Sequence, residues 1–324
     1  MEETELCFPQ LFNISCSRTK RPHYETTIIY FVLSSISLLT LSLNLLVIIS
    51  ISHFRQLQSP TNLLLLSLAV SDFFIGLLMF FQILLTNGCW FLGDIACVIY
   101  SHFSYIITAA SIGTMVMISV DRYVAICYPL HYKMKITQKK VKICVCLCWT
   151  WSVVFQSLNL MENFKQPGMY NSCLGECVIV INYIAGMADL ILSFIVPITI
   201  IVVLYLRIFV VAVSQIRAIH SHTAGLTLHG SVNVKKSEIK VAGSLGVIVI
   251  VFLICVLPYF CDTLVGQDTL LNASSSAFVL CLFYFNSCLN PIVYAFFYTW
   301  FRKSIKFILT LRILQRDSCD INML

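Results

Sequence analysis

Long apolar runs separated by short polar segments dominate the hydrophobicity pattern of this chain. Seven runs reach about 20 residues, the length that an α-helix needs to cross a lipid bilayer. They lie near residues 27–52, 61–86, 94–125, 141–160, 178–211, 239–265 and 274–297. The pattern therefore predicts an all-α membrane protein, a seven-transmembrane-helix bundle whose two chain ends lie on opposite sides of the membrane.

The composition agrees with this prediction. Of the 324 residues, 59% are hydrophobic and 11% are charged, and the mean hydropathy is +0.88. A soluble globular core cannot use so much apolar surface. The formal net charge of +6 is loop charge, and no basic and aromatic soluble face indicates a nucleic-acid partner.

Lysine and arginine accumulate in the cytoplasmic loops of membrane proteins. With the N-terminus outside, all but four of the 21 lysines and arginines lie inside or at the inner boundary; the exceptions are Arg18, Lys20, Arg21 and Lys165. The glycosylation acceptor sites at Asn13 and Asn272 then lie outside, where glycosylation occurs. We therefore expect a multi-pass plasma-membrane protein with an extracellular N-terminal segment, residues 1–26.

The segment after the seventh run, TWFRKSIKFILTLRIL, has apolar residues at helical spacing with basic residues between them. This pattern predicts an amphipathic eighth helix that lies on the inner leaflet. We assign the bundle to residues 27–297, the amphipathic helix to 298–312 and a cytoplasmic tail to 313–324. Cys319 in this tail is a candidate for palmitoylation.

Five cysteines in predicted outer segments can form disulfides in an oxidising compartment; they are Cys7, Cys16, Cys97, Cys173 and Cys177. Cys97 heads the third run, and a partner just before the fifth run would staple the second outer loop to the bundle. Cys16 is then a candidate partner for the other cysteine of that loop. Cys7 has no obvious partner.

Two acids lie deep in apolar runs, Asp72 in the second and Asp189 in the fifth. A charge at membrane depth costs at least about 2.5–3.5 kcal/mol, so each is a candidate functional residue. A transporter or ion pump would need a relay of ionisable groups across the membrane. Only these two acids lie deep, and no lysine or arginine lies at a depth between them. An enzyme is also disfavoured, because no nucleophile is paired with a base. Helical spacing turns Cys146 to another face from Cys144 and Cys148, so we expect no metal site.

Two motifs carry a resemblance to a known family. The third run ends in SVDRYVAICYPLHY, and the seventh contains NSCLNPIVYAFFYTWFRKSIK. An acid-arginine-tyrosine triplet with a later Asn-Pro-x-x-Tyr resembles the rhodopsin-like G-protein-coupled receptors. Further matches run along all seven spans: Asn44, Asp72, Cys97, Trp149, Pro197 and Pro258.

The longer string Asn286-Ser287-x-x-Asn290-Pro291-x-x-Tyr294-x-x-x-Tyr298-x-Trp300-Phe301 resembles the fingerprint of the trace amine-associated receptors. The N-terminal NISC and the loop sequence CLGEC are similar to that family too. By this resemblance Cys97 pairs with Cys177, and Cys16 pairs with Cys173. The resemblance also implies a small amine ligand, a heterotrimeric G protein of the stimulatory type, and arrestin as partners.

The resemblance assigns two internal sites. A hydrated site in the middle of the bundle, which binds an allosteric sodium ion in the family, comprises Asp72, Ser111, Asn286, Ser287 and Asn290. No other cofactor is implied. The activation switch comprises Asp121, Arg122, Tyr205, Glu238, Phe252, Val256, Pro258, Pro291 and Tyr294. Arg122 needs a partner when the bundle is closed, and the candidates are Asp121 beside it and Glu238 at the foot of the sixth helix. An arginine-carboxylate contact between two helices is a latch whose breaking favours an open intracellular cavity.

The sequence departs from the family at the position that holds the ligand's ammonium. An aspartate usually stands seven residues after the third-helix cysteine, and here the residue is Ser104. At 1.5 Å per residue, Ser104 lies about 10 Å below Cys97, and Asp189 lies about 13 Å below the start of the fifth helix. Both should face one cavity, so we hypothesise that Asp189 has taken over as the ammonium counter-ion.

Other residues complete this hypothetical ligand site. Ser193 lies one turn from Asp189 on the same face, and Thr108 lies one turn from Ser104. An aromatic wall could attract an ammonium group; it comprises Tyr105, Tyr259, Phe260 and Tyr284. One acid rather than two favours a monoamine over a diamine.

A second departure is Val256, which stands where the family usually has the tryptophan that couples the ligand to the sixth helix. We expect an olfactory receptor for volatile monoamines, located in sensory cilia, that raises cyclic AMP. Two alternatives are a neurotransmitter-type biogenic amine receptor and a weakly signalling receptor whose ligand is not an amine. The missing acid on the third helix argues against the first.

Overall fold

The computed structural model describes residues 5–18, 22–85, 88–222, 243, 246–247, 249–258, 261, 273–315, 318–321 and 323. In this part of the chain the apolar runs are helices, and extended segments pair only in two isolated β-bridges. The helices are α1 His23–His53, α2 Pro60–Leu85, α3 Asp94–Cys127, α4 Gln138–Asn159, α5 Tyr183–His222, α6 Val249–Pro258, α7 Ala273–Phe297 and α8 Thr299–Leu309. Shorter helical segments are Arg55–Leu57, Pro129–Lys135, Met161–Lys165, Arg312–Leu314 and Ser318–Asp320.

Six of these helices are long and apolar enough to cross a membrane, and the described part of α6 is a shorter apolar helix. The predicted all-α bundle is confirmed. α3 packs against α2, α4 and α5, while α1 packs against α2 and α7. We call the end of the bundle that contains Arg122 the arginine end, and the opposite end, where the loops are cross-linked, the disulfide end.

The proline in α7 is accommodated by a side chain of α1. Pro291 lies inside the helix and has no N–H, so the carbonyl of Ser287 lacks its helical donor. The amide nitrogen of Asn44 donates to that carbonyl at 3.0 Å. The same nitrogen donates to the carbonyl of Thr40 at 2.9 Å, so α1 holds α7 at the site of the proline.

The fifth helix begins later than the apolar run that predicted it. The run begins at residue 178, whereas α5 begins at Tyr183, where the side chain of Asn182 caps the helix by accepting from the N–H of Ile184 at 3.0 Å. The preceding backbone is held in a loop by Asn163, whose side chain bonds both the N–H and the carbonyl of Val180, at 3.3 and 2.8 Å. Side-chain bonds to the backbone therefore override the apolar pattern.

α5 is not a regular α-helix along its length. A π-helical stretch, Leu190–Ile195, separates Tyr183–Asp189 from Val196–His222. Pro197 follows directly and cannot donate to the carbonyl of Ser193, which loosens this turn. Such π-helical turns are frequent at functional sites, and this one begins immediately after Asp189.

Three disulfides cross-link the disulfide end. Two are the pairs implied by the family resemblance, Cys97–Cys177 and Cys16–Cys173. The third joins Cys7 to Cys89. The expectation that Cys7 has no obvious partner was therefore wrong, because Cys89 was left out of the outer cysteines although it lies in the loop between α2 and α3.

The amphipathic eighth helix predicted after the bundle is present as α8, Thr299–Leu309. Its aromatic side chains Trp300 and Phe301 are buried against the bundle, whereas Lys303 and Lys306 are exposed. The helix is shorter than the predicted 298–312, since the chain turns at a left-handed residue, Leu311.

Candidate functional site

A cavity of about 520 Å³ opens between the helices toward the disulfide end. Its described lining comprises Gln82, Tyr100, Ser101, Ser104, Tyr105, Thr108, Ala109, Ile112, Gln156, Cys177, Ile179, Asp189, Ser193, Leu280, Phe283 and Tyr284. Six of the eight residues predicted to bind the ligand are in this set: Ser104, Tyr105, Thr108, Asp189, Ser193 and Tyr284. The other two, Tyr259 and Phe260, lie outside the described residues.

One face of α3 forms a wall of the cavity. Tyr100, Ser104 and Thr108 are spaced four residues apart, so they lie above one another along this face. Asp189 and Ser193 of α5 line the same cavity. The structure therefore brings Ser104 and Asp189 to one cavity, as the helical rise predicted.

The carboxylate of Asp189 is held from one side. Its Oδ1 accepts from the amide nitrogen of Gln156 at 2.7 Å and from the hydroxyl of Ser193 at 2.8 Å. Among the described residues, none donates to its Oδ2. Asp189 is only partly buried and lines the cavity, so two donors orient its carboxylate at the cavity wall.

Gln156 is a functional candidate that the sequence analysis missed. It is 1% exposed. Its side-chain oxygen Oε1 accepts from the side-chain amide of Asn159 at 3.3 Å, which orients the Gln156 amide nitrogen toward Asp189. The signal was present in the sequence: two amides three residues apart in an apolar run share a helix face. Their contact with α5 could not be inferred from spacing within α4.

The opposite side of the cavity has a second polar cluster. Gln82 of α2 accepts hydrogen bonds at Oε1 from the hydroxyls of Tyr100, at 2.7 Å, and Tyr284, at 3.4 Å. These three residues come from three helices. Tyr284 was predicted as part of an aromatic wall, whereas Gln82 and Tyr100 were not predicted.

Asp72 lies in the middle of the bundle and is completely buried. The amide nitrogen of Asn290 donates to its Oδ2 at 2.8 Å, and Ser287 is buried as well. The Oδ1 atoms of Asp72, Asn286 and Asn290 are buried without a hydrogen-bond partner among the described residues. Ser111 is buried as well. This group of side chains therefore has several oxygen atoms that accept no hydrogen bond from the described residues, which fits a hard cation or water.

Arg122 and Asp121 form a buried pair at the arginine end, with 4% and 2% exposure. Two guanidinium nitrogens contact Asp121 Oδ2, and Nη2 also donates to the hydroxyl of Thr61 at 2.5 Å. Tyr132 donates to Asp121 Oδ1 at 2.8 Å. Burial, reinforced by the nearby carboxylate, raises the pKa of Tyr132 to about 12, so its hydroxyl stays a donor. Glu238, the other predicted partner of Arg122, lies outside the described residues.

The remaining switch residues lie along the core. The hydroxyls of Tyr205 and Tyr294 are buried, and neither has a hydrogen-bond partner within the described part of the chain. Phe252 and Val256 are 2% and 3% exposed and belong to the same apolar cluster as Phe194 of α5. Valine therefore occupies the position of the usual tryptophan inside a packed core. Pro258 ends the described part of α6.

Comparisons with known proteins give a consistent answer. Residues 43–294 match the model of the family described as 7 transmembrane receptor (rhodopsin family). Trace amine-associated receptor 13c of Danio rerio is 36% identical, covering 99% of this chain and 97% of that protein. Trace amine-associated receptor 1 of Macaca mulatta is 36% identical, with 95% of both chains covered. Trace amine-associated receptor 8a of Rattus norvegicus is 35% identical, with 98% and 96% covered.

Proposed function

Because the chain belongs to the rhodopsin-like seven-transmembrane receptors and, among them, to the trace amine-associated receptors, we propose that it detects small volatile monoamines through Asp189. Membership makes it a G-protein-coupled receptor in a membrane, with a small ligand and a G protein as partners, and not an enzyme. The nature of the ligand, the residue that holds it and the signal that follows are the proposal.

The environment of Asp189 is the observation that carries the proposal. Gln156 and Ser193 hold one carboxylate oxygen of Asp189, and the residue lines the cavity. Among the described lining residues Asp189 is the only charged one. Primary amines resemble the lysine side chain, with a pKa of about 10.4, so they reach the cavity as cations. A cation beside Asp189 supplies the partner that a carboxylate at membrane depth requires.

Aromatic rings support the same ligand class. Tyr105, Phe283 and Tyr284 line the cavity, and ring faces attract ammonium groups by about 0.5–2 kcal/mol. Ser104 and Thr108 contribute hydroxyls on α3. Tyr259 and Phe260 belong to this proposed wall, but they lie outside the described residues.

An allosteric sodium ion is part of the proposal. Asp72, with Ser111, Asn286, Ser287 and Asn290, holds the ion, whose charge balances the buried carboxylate. The unsatisfied oxygens of Asp72, Asn286 and Asn290 support this assignment. The ion favours the closed bundle, in which Arg122 stays paired with Asp121.

Signal transfer follows from release of the Arg122 latch. An amine in the cavity contacts α5 next to its π-helical stretch and shifts the packing of Phe194 against Phe252 and Val256. The arginine end then opens to a stimulatory G protein, and cyclic AMP rises; arrestin binds the same open end. We place the disulfide end outside the cell, with Asn13 exposed for glycosylation, and we place the receptor in the plasma membrane of olfactory cilia.

A cyclic-AMP reporter screen with mono- and diamines tests the proposal. The wild type is compared with Asp189→Asn and Asp189→Ala at matched surface expression. Glu176→Gln is the control, because Glu176 is an acid of the second outer loop whose carboxylate is bound by Ser172 and does not line the cavity. We expect a monoamine to activate the wild type and the control only. Equal responses in all four proteins would refute the role of Asp189.

A further inference from the structure

The cavity has two polar ends of different character. At one end Asp189 presents a carboxylate oxygen. At the other end Gln82, Tyr100 and Tyr284 form a cluster joined by the hydrogen bonds to Gln82 Oε1. Both ends line the same cavity. A ligand whose ammonium group lies at Asp189 therefore extends its other end toward an amide and two phenols.

One part of the cavity lining is apolar. Its apolar residues are Ala109, Ile112, Ile179, Leu280 and Phe283. An alkyl chain fits such a wall, since each buried methylene group is stabilised by about 0.8 kcal/mol. The lining therefore suits a molecule with a polar group at each end and hydrocarbon between them.

The far end carries no charge among the described lining residues. A second ammonium or a carboxylate placed there would be desolvated without an opposite charge, which is costly. A bare methyl terminus would displace water from the amide and phenol groups without replacing its hydrogen bonds. The group that fits best is neutral and polar.

Proton positions define that group further. A phenol has a single O–H proton, and those of Tyr100 and Tyr284 are both directed at Gln82 Oε1. Toward a ligand these phenols can therefore only accept a hydrogen bond. A hydroxyl group on the ligand can donate to them, whereas an ether or a ketone cannot.

We propose that the preferred ligands of this receptor are primary amines that carry a hydroxyl group at the end opposite the ammonium. This inference rests on the proposed function, because it takes Asp189 as the ammonium site. Gln82 positions the two tyrosines, and Tyr100 and Tyr284 accept the ligand's hydroxyl proton.

The test uses three ligand series of equal chain length: n-alkylamines, ω-hydroxyalkylamines and α,ω-diamines. Each is titrated on the full-length receptor by cyclic-AMP response, at matched surface expression. Tyr100→Phe and Tyr284→Phe remove only the hydroxyls and keep the rings, and Gln82→Leu removes the amide. Gln166→Leu is the control, because Gln166 is exposed and does not line the cavity.

In the wild type and the control, the best hydroxyalkylamine should be about 2- to 10-fold more potent than the matched alkylamine, the range for one hydrogen bond. The two phenylalanine variants should lose this preference, so that each responds to the hydroxyalkylamine no better than to the matched alkylamine. If Gln82→Leu does not reach the surface, these two variants still decide the question.

Three outcomes would overturn the inference: an alkylamine at least as potent as its hydroxyl analogue, a diamine as the most potent ligand, or a hydroxyl preference that survives in both phenylalanine variants. If amine responses persist and depend on Asp189, these outcomes leave the proposed function intact. Silence of the surface-expressed wild type toward all three series would overturn both proposals.

Discussion

Asp189 and Asp72 are both carboxylates inside the bundle, and they differ in how their oxygens are satisfied. Asp189 receives two donors on one oxygen, and the residue lines a cavity. Asp72 is fully enclosed, and its surroundings contain several oxygens that no donor reaches in the described part of the chain. The first arrangement orients an acid toward a ligand. The second has more acceptors than donors and so favours a small cation.

The difference arises from the helices that carry the two acids. Asp72 belongs to the regular helix α2, whose buried face meets Asn290 of α7. Asp189 is the last residue before the π-helical stretch of α5 and faces α4 through Gln156. Two acids at membrane depth can therefore have separate roles, and each role is defined by the donors around the acid.

Neutralising each acid in turn should give the largest difference in amine affinity between the two sites. Asp189→Asn keeps the acceptor for Gln156 and Ser193 but removes the charge, so amine affinity should fall by about 30- to 4,000-fold, the cost of about 2–5 kcal/mol for losing one partner of a buried ion pair. Asp72→Asn should change affinity by less than about 3-fold in sodium-free buffer, because it does not line the cavity. Competition binding on membranes measures both, and similar losses in the two variants would contradict separate roles.

Removing a donor from Asp189 should have the next largest effect. Gln156→Leu deletes the hydrogen bond at 2.7 Å, and a hydrogen bond to a charged group contributes about 1.5–3 kcal/mol. Amine potency should fall by about 10- to 150-fold, measured by concentration-response curves. Ser157→Ala, at the next position of α4, serves as the control because Ser157 bonds His102 and not Asp189. Equal losses in both variants would mean that α4 is disturbed generally.

The effect of sodium on amine binding should depend on Asp72 and not on the donors of Asp189. In the wild type, sodium should weaken amine binding by about 5- to 150-fold, the range typical of coupled sites, since the ion favours the closed bundle. Asp72→Asn should bind amine equally with sodium and with a bulky organic cation, whereas Gln156→Leu should keep the sodium effect. Binding titrations in the two salts test this expectation. A sodium effect that persists in Asp72→Asn would place the ion elsewhere.

The smallest effect is expected at Ser193. Its hydroxyl donates to the same oxygen as Gln156, but the side chain is only partly buried. Ser193→Ala should lower amine potency by about 2- to 10-fold, the range for one ordinary hydrogen bond. Thr199→Ala is a matched control, because Thr199 bonds only the backbone of its own helix. A loss larger than that of Gln156→Leu would reverse the assigned order of the two donors.

Periodicity within one helix made part of the site predictable. The helical rise placed Ser104 and Asp189 at similar depth, and the structure finds both on one cavity. Contacts between helices were less accessible, as Gln156 and Gln82 illustrate, since each acts through a side chain of another helix. The role of Asp189 as an ammonium site is still a prediction.

The fold was predictable from the apolar runs, but its loops were not. Asn163 and Asn182 keep the start of the fifth run out of the helix through bonds to the backbone, and hydropathy does not detect such bonds. The partner of Cys7 was missed for a similar reason, because the fold of the N-terminal segment decides which cysteine it reaches. Glu238, Tyr259, Phe260 and Asn272 lie outside the described residues, so their assigned roles stay predictions.

We propose that the charge of Asp189, and not its shape, holds the ligand. The most direct test compares the most potent amine with the alcohol that replaces its ammonium by a hydroxyl, on the wild type and on Asp189→Asn. The wild type should prefer the amine by about 30-fold or more, and Asp189→Asn should reduce this preference to within about 3-fold. An unchanged preference in Asp189→Asn would show that the ammonium group binds elsewhere.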